Sequence, residues 1–198
     1  HNDSVRRGGA FVPLDCSAWQ PDTLDNMLFG NWSIQKGSPA CMAEQAQDGT
    51  LYLSHVEALP METQYKLLSL IRGRFLHNGP NRPAGADVRV IASTDVNLAA
   101  RVERGEFRRD LYYALNVLSL ELPPLRRRRE DAVGWFDQYL NSWQEKFKRY
   151  FHPTQGAYKV IESYDWPGNL DQMDSLCERV VLLAEKRSID ETFLRRQL

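Results

Sequence analysis

The stretch Gly49-Thr50-Leu51-Tyr52-Leu53-Ser54-His55-Val56-Glu57-Ala58-Leu59-Pro60 begins as a short apolar run, breaks at a polar Ser-His pair and ends at a proline. A run of this length bounded by glycine reads as a buried strand. After Pro60, Leu67, Leu68 and Ile71 stand at i, i+1 and i+4 and Gly73 supplies a stop, so the strand is expected to lead into a helix with one core face. In an α/β protein, ligands and catalytic groups gather at the carboxyl end of such a strand. This chain places Ser54 and His55 there, where phosphate chemistry would call for acids.

The same alternation extends outward. Residues 10–14, 88–92 and 117–122 are further short apolar runs separated by helical patterns, which predicts an α/β fold with a parallel sheet and covering helices. After Pro123-Pro124 the pattern becomes helical throughout, with helices expected over about 130–150, 155–164 and 169–185 and a last one from Ser188. Ser188 and Glu191 match the S-x-x-E capping box. The expected organisation is an α/β part over 1–125 and a helical part, with no strand of its own, over 126–198.

Composition narrows the function classes. With 198 residues, 42% hydrophobic and 26% charged, the chain can bury a substantial core. A formal net charge of -1 provides no overall field toward nucleic acid or an anionic membrane. Cys16, Cys41 and Cys177 are odd in number and far apart, which argues against a disulfide framework and a thiolate zinc site and favours a reducing cytoplasm. No apolar run approaches the roughly 20 residues that span a bilayer, so no membrane partner is expected. The first residue is His1 rather than Met, and the chain is expected to be a fragment of a longer one.

Two basic segments invite a nucleic-acid reading. The arginines at 126–129 run directly into Glu130-Asp131 and read instead as a solvated, ion-paired block. The segment KFKRYFH at 146–152 reads as part of an amphipathic helix with Trp143, Phe147 and Tyr150 on one side. Gly8-Gly9 has no lysine after it and reads as a turn; no G-x-x-x-x-G-K-[ST] phosphate loop occurs in the chain.

Three longer motifs, VRVIASTDVNL, GEFRRDLYYALNVLSLELPPLRRRRED and YDWPGNLDQMDSLCERVVLLA, resemble the central AAA+ domain of the NtrC-like bacterial enhancer-binding proteins, which remodel sigma-54 RNA polymerase. The similarity runs from FVPLDCSAW through DNMLFG to the last helix. It implies an AAA+ parallel-sheet nucleotide-binding subdomain, a C-terminal helical lid and assembly into a ring.

The family's chemistry rests on a few positions, and most of them differ here. The resemblance aligns the family's Asp-Glu pair, which handles the metal and the water, with Ser54 and His55. A serine hydroxyl is a poor magnesium ligand, because that cation prefers carboxylate oxygen. His55 has two readings: a base near neutral pH, or a hydrogen-bonded residue at a strand end. Glu57 lies two residues on and reads as part of the turn before the helix. Asp95, in Ser93-Thr94-Asp95, stands where the family senses the γ-phosphate with Asn; it would repel phosphate, or else serve as a helix N-cap. Arg108 matches the arginine finger that reaches a neighbour's nucleotide, while the second family arginine aligns with Ala114. In WPGNLDQ the arginine that contacts nucleotide phosphates is replaced by Asp171, while Trp166, Pro167, Gly168 and Asn169 persist as scaffold. The GAFTGA loop that touches sigma-54 is replaced by NWSIQKGSPACMAEQAQD, with Trp32 and a lone Lys36-Gly37.

These readings point to an AAA+ regulatory domain of a bacterial transcriptional regulator that is deficient in ATP hydrolysis and in sigma-54 contact. Two alternatives stay open: a working ATPase with its phosphate loop upstream of His1, or a purely structural interaction module. The residues name no metal and no definite cofactor, leaving ATP or another nucleotide as the ligand to test. The expected partners are further copies in a ring and RNA polymerase holoenzyme, with DNA reached only through a separate domain outside this chain.

Overall fold

The computed structural model describes residues 1–30, 40–74 and 87–198. They form two compact units, His1–Ser119 and Leu120–Leu198.

In the first unit, strands β1 (Phe11–Asp15), β2 (Thr50–Ser54) and β3 (Arg89–Ala92) make one parallel sheet in that order. The central strand is the run expected to be buried: Leu51 and Leu53 are fully buried. Register pairs Asp15 with Ser54 and Leu53 with Ala92, so the three carboxyl ends are nearly level. The chain approaches β1 through a turn, with the Gly9 amide donating to Arg6 O at 3.0 Å, as read from Gly8-Gly9. Glycine is required where β1 and β2 begin. A Cβ on Gly49 would lie 2.2 Å from the Ala10 carbonyl oxygen, and one on Gly9 would lie 2.4 Å from that of Asp48.

Helices α1 (Pro21–Phe29), α2 (Met42–Gln45) and α3 (Met61–Ile71) accompany the sheet. Thr63 and Lys66 of α3 both donate to Asp25 of α1, at 2.9 and 2.7 Å. Helix α3 stops at the expected glycine: Gly73 is left-handed, its amide donates to Leu70 O and that of Arg74 to Ser69 O, the paired bonds of a Schellman cap. Beyond β3 come α4 (Leu98–Glu103) and α5 (Arg109–Leu115). The buried side chain of Gln64 ties α3 to α5. Its Nε2 donates to Leu59 O at 2.8 Å, and its Oε1 accepts the Arg108 amide at 2.8 Å. Phe107 and Leu111 then close over Leu67, Leu68 and Leu70 in one core.

Two expectations for this unit are corrected. Residues 117–122 form no strand: they pair with none of the described strands, and Val117, Leu118, Leu120 and Leu122 are each more than 80% exposed. An apolar pattern gives a segment only the capacity to pair; the open edges of β1 and β3 are not hydrogen-bonded to this one, so no ladder forms among the described residues. The N-cap of α4 is Asn97, whose Oδ1 accepts the Ala100 amide at 3.1 Å, so Asp95 is not the cap. It lies two positions too early for its carboxylate to replace Asn97.

The second unit contains α6 (Arg129–Phe147), α7 (Gln155–Ser163), α8 (Asn169–Leu183) and α9 (Glu191–Gln197). Phe136 and Leu140 of α6 meet Met173, Leu176, Cys177, Val180 and Val181 of α8 in its core. The retained motif residues are structural here. Trp166 is buried and donates from Nε1 to Ile161 O at 2.9 Å; Asn169, left-handed, accepts the Leu125 amide on Oδ1 at 2.9 Å. Arg149 donates to Leu182 O and Ala184 O, satisfying carbonyls that the end of α8 leaves open.

The unit is helical as expected, with one addition: β4 (His152–Pro153) and β5 (Ser188–Ile189) form a two-residue parallel bridge. Two residues are too few to register as a period, and backbone bonds carry the pairing. Ser188 is thereby drawn into β5, and the cap of α9 falls to Asp190, which accepts the Phe193 amide at 2.8 Å; the Ser188/Glu191 box does not form.

Two substitutions test this construction. Gly49→Ala should destabilise the chain by about 1–3 kcal/mol, read from the urea midpoint, because the added methyl meets backbone that cannot rotate away. Gln64→Leu should cost about 2 kcal/mol or more, since the Leu59 carbonyl and the Arg108 amide each lose a partner in the interior. A loss under about 0.5 kcal/mol in either case would contradict the packing described.

Candidate functional site

The carboxyl edge of the sheet brings together Asp15, Ser54, His55 and the Ser93-Thr94-Asp95 turn. Immediately after β2, His55 adopts φ 51° and ψ 50°, a left-handed conformation that turns the ring back toward β1. There Nδ1 meets Asp15 Oδ1 at 3.0 Å. The same oxygen accepts the Ser17 amide at 2.9 Å and the Ser17 hydroxyl at 2.7 Å, capping the short 3-10 turn Cys16–Ala18. The Ser17 bonds and, after them, His55 hold the Asp15 carboxyl below its usual range. The bond to Asp15 raises the His55 imidazolium above its ordinary value despite partial desolvation, with Glu57 and Asp95 adding the same sign.

His55 is therefore a hydrogen-bonded strand-end residue. Its partner Asp15 was not foreseen, although Asp15-Cys16-Ser17 carries the D-x-S spacing of a local cap; only the parallel register shows that this cap faces β2. Ser54 Oγ reaches no further than Leu14 O, at 3.5 Å. Glu57 sits in the 3-10 turn Val56–Ala58 before α3, with Oε2 buried and unpartnered. Asp95 is exposed beyond β3. Among the described residues, no three His, Cys, Asp or Glu side chains converge as metal ligands.

Arg108 is held beside α3, its amide bonded to Gln64. Its Nε and Nη2 form a two-pronged bond to Asp110 at 3.0 and 2.7 Å, and its guanidinium lies 5.3 Å from the centre of the Tyr65 ring. That bond raises the guanidinium and lowers the Asp110 carboxyl relative to their ordinary values. Arg108, Arg109, Asp110 and Tyr113 line a shallow cleft. Ala114, one turn beyond Asp110, packs against the core.

In the second unit, Asp171 is exposed in the first turn of α8, where the helix dipole favours a carboxylate. Arg127, Arg128 and Arg129 pair with Glu121, Asp131 and Asp165, in keeping with a solvated block. Lys146 lies 4.0 Å from the Trp143 ring centre and Lys148 pairs with Glu145. Trp32 and Lys36-Gly37 lie outside the described residues.

Residues 1–121 match the Sigma-54 interaction domain family and residues 126–198 the AAA+ ATPase lid domain. The chain is 36% identical over 193 residues to the C4-dicarboxylate transport transcriptional regulatory protein DctD of Rhizobium meliloti, covering 93% of this chain and 42% of DctD. Crystal structures of NtrX from Brucella abortus superpose with TM-scores of 0.83 in complex with ADP and 0.82 in complex with ATP. Both are 30% identical to this chain, and the match covers 98% of it and 44% of NtrX. The chain thus spans less than half the length of these relatives. No helix among the described residues is long and apolar enough to cross a membrane. The α/β unit, the helical lid and these matches together place the chain in the sigma-54 interaction domain family of AAA+ transcriptional regulators.

Proposed function

We propose that this chain is a regulatory AAA+ module that takes up nucleotide and assembles with further copies, yet does not hydrolyse ATP. One observation carries the reading: at the carboxyl edge of the sheet the carboxylate that stands opposite Ser54 is already engaged, because Asp15 Oδ1 accepts three donors, one of them His55. Phosphoryl transfer needs a held metal, a positioned water and counter-charge. Ser54 offers a hydroxyl where a divalent cation wants carboxylate, and the donor set at this edge does not fit that ion. Ala114 and Asp171 remove positive charge from two further family positions. Nucleotide uptake is supported by the likeness to NtrX, solved with ADP and with ATP.

In this reading Arg108 faces a neighbouring copy, restrained by Asp110 until an anion competes for it. A ring of copies, RNA polymerase holoenzyme as partner and DNA contact through a separate domain belong to the same proposal. So does the division into a nucleotide subdomain at 1–125 and a lid at 126–198.

The Asp15–His55 pair favours a second reading. A carboxylate on Nδ1 fixes the imidazole tautomer and leaves Nε2 free as a base, the arrangement in which His activates water. The two readings part on turnover. In the full-length protein, calorimetry should detect ADP binding, and magnesium-dependent phosphate release from ATP should stay at background. Turnover that Arg108→Ala abolishes would overturn the first reading in favour of the second. Failure to bind any nucleotide would leave a purely structural module.

A further inference from the structure

The Asp15–His55 contact belongs to a longer chain of bonds. Asp15 Oδ1 gathers Ser17 and His55 at the end of β1. The residue after His55, Val56, donates its amide to Ser93 O at 3.1 Å, at the end of β3. Ser93 in turn donates its amide to Leu53 O at 2.8 Å and shares a hydroxyl bond with Tyr52 at 3.0 Å. A left-handed histidine sits at the junction, in a conformation that residues with a Cβ adopt reluctantly. The bond from its ring to Asp15 helps hold it there.

We propose that Asp15, His55 and the turn that His55 opens form a protonation-controlled strap across the carboxyl ends of the three strands, tightest when the imidazole is charged and weaker when it is neutral and keeps only an uncharged Nδ1–H bond to Asp15. Among the described residues, the charged groups that act on the ring are acidic and come from three places: Asp15 from the end of β1, Glu57 from its own 3-10 turn and Asp95 from beyond β3. The ring is 42% exposed, so protons reach it without a conformational change. This device goes beyond the reading above, because it holds whether or not nucleotide binds.

The pH window follows from the two partners. His55 is raised in the folded chain, so the strap's contribution is complete below the ordinary imidazole value of 6.5 and is lost as pH rises through the raised one. Asp15 is lowered, so its own contribution is present above the ordinary carboxyl value and is lost only in acid. The neutral-range switch is therefore that of His55.

Histidine-ring and backbone-amide NMR on the folded chain tests this. His55 should titrate with a midpoint above 6.5, and the amides of Ser17, Val56 and Ser93 should shift with that same midpoint. Asp15→Asn keeps an oxygen for Ser17 but removes the charge, and should move the His55 midpoint down. His55→Gln keeps a donor for Asp15 without a titrating group, and should abolish the neutral-range shifts of all three amides while the rest of the spectrum stays folded. A His55 midpoint at or below 6.5, a midpoint unmoved by Asp15→Asn, or amides that titrate unchanged in His55→Gln would each overturn the strap.

Discussion

The parallel pairing of β1 with β2 is the constraint from which the rest of the first unit follows. It depends on two glycines whose backbones approach so closely that neither position admits a side chain. Once that contact is made, the register is fixed along the pair, and Asp15 arrives opposite Ser54 with His55 one residue beyond. Slipping the pairing by one residue would turn Leu51 and Leu53 out of the core, so burial and the layout of the strand ends are one decision. The edge chemistry is thus inherited from the sheet.

The two units separate scaffold from chemistry in the same way. Trp166 and Asn169 are retained because one fills the core and bonds a carbonyl while the other accepts an amide at a left-handed turn. Asp171, three residues beyond Gly168, is exposed on the first turn of α8, where a carboxylate suits the helix whatever its effect on a phosphate. In the first unit Gln64 plays the scaffold part by suspending the start of α5 from α3, which leaves Arg108 tethered to Asp110 beside an open cleft. Fold and ligand chemistry place different demands on neighbouring positions, so one can persist while the other drifts.

How much was legible in the sequence depended on how local each signal was. The runs at 10–14, 51–53 and 88–92 fell on real strands, and Gly73 ended α3, because apolar periodicity and glycine's left-handed freedom are written in adjacent residues. The partnership of Asp15 with His55 was not visible, since it joins residues 40 positions apart through a register that no periodicity encodes. Gln64 was missed for a related reason: a glutamine inside a helical pattern looks like surface until the backbone groups it must satisfy are known. Ser188 and Glu191 matched a capping pattern, but Asp190 was a competing cap and the bridge to His152–Pro153 drew Ser188 away.

Residues 117–122 have the composition of a strand and none of its pairing. Four large apolar side chains face solvent on a segment that no described strand covers. A β-competent segment left open in this way is a template for any other open strand edge, including that of another copy. Crowding copies together would favour contact through this segment, and dilution would oppose it.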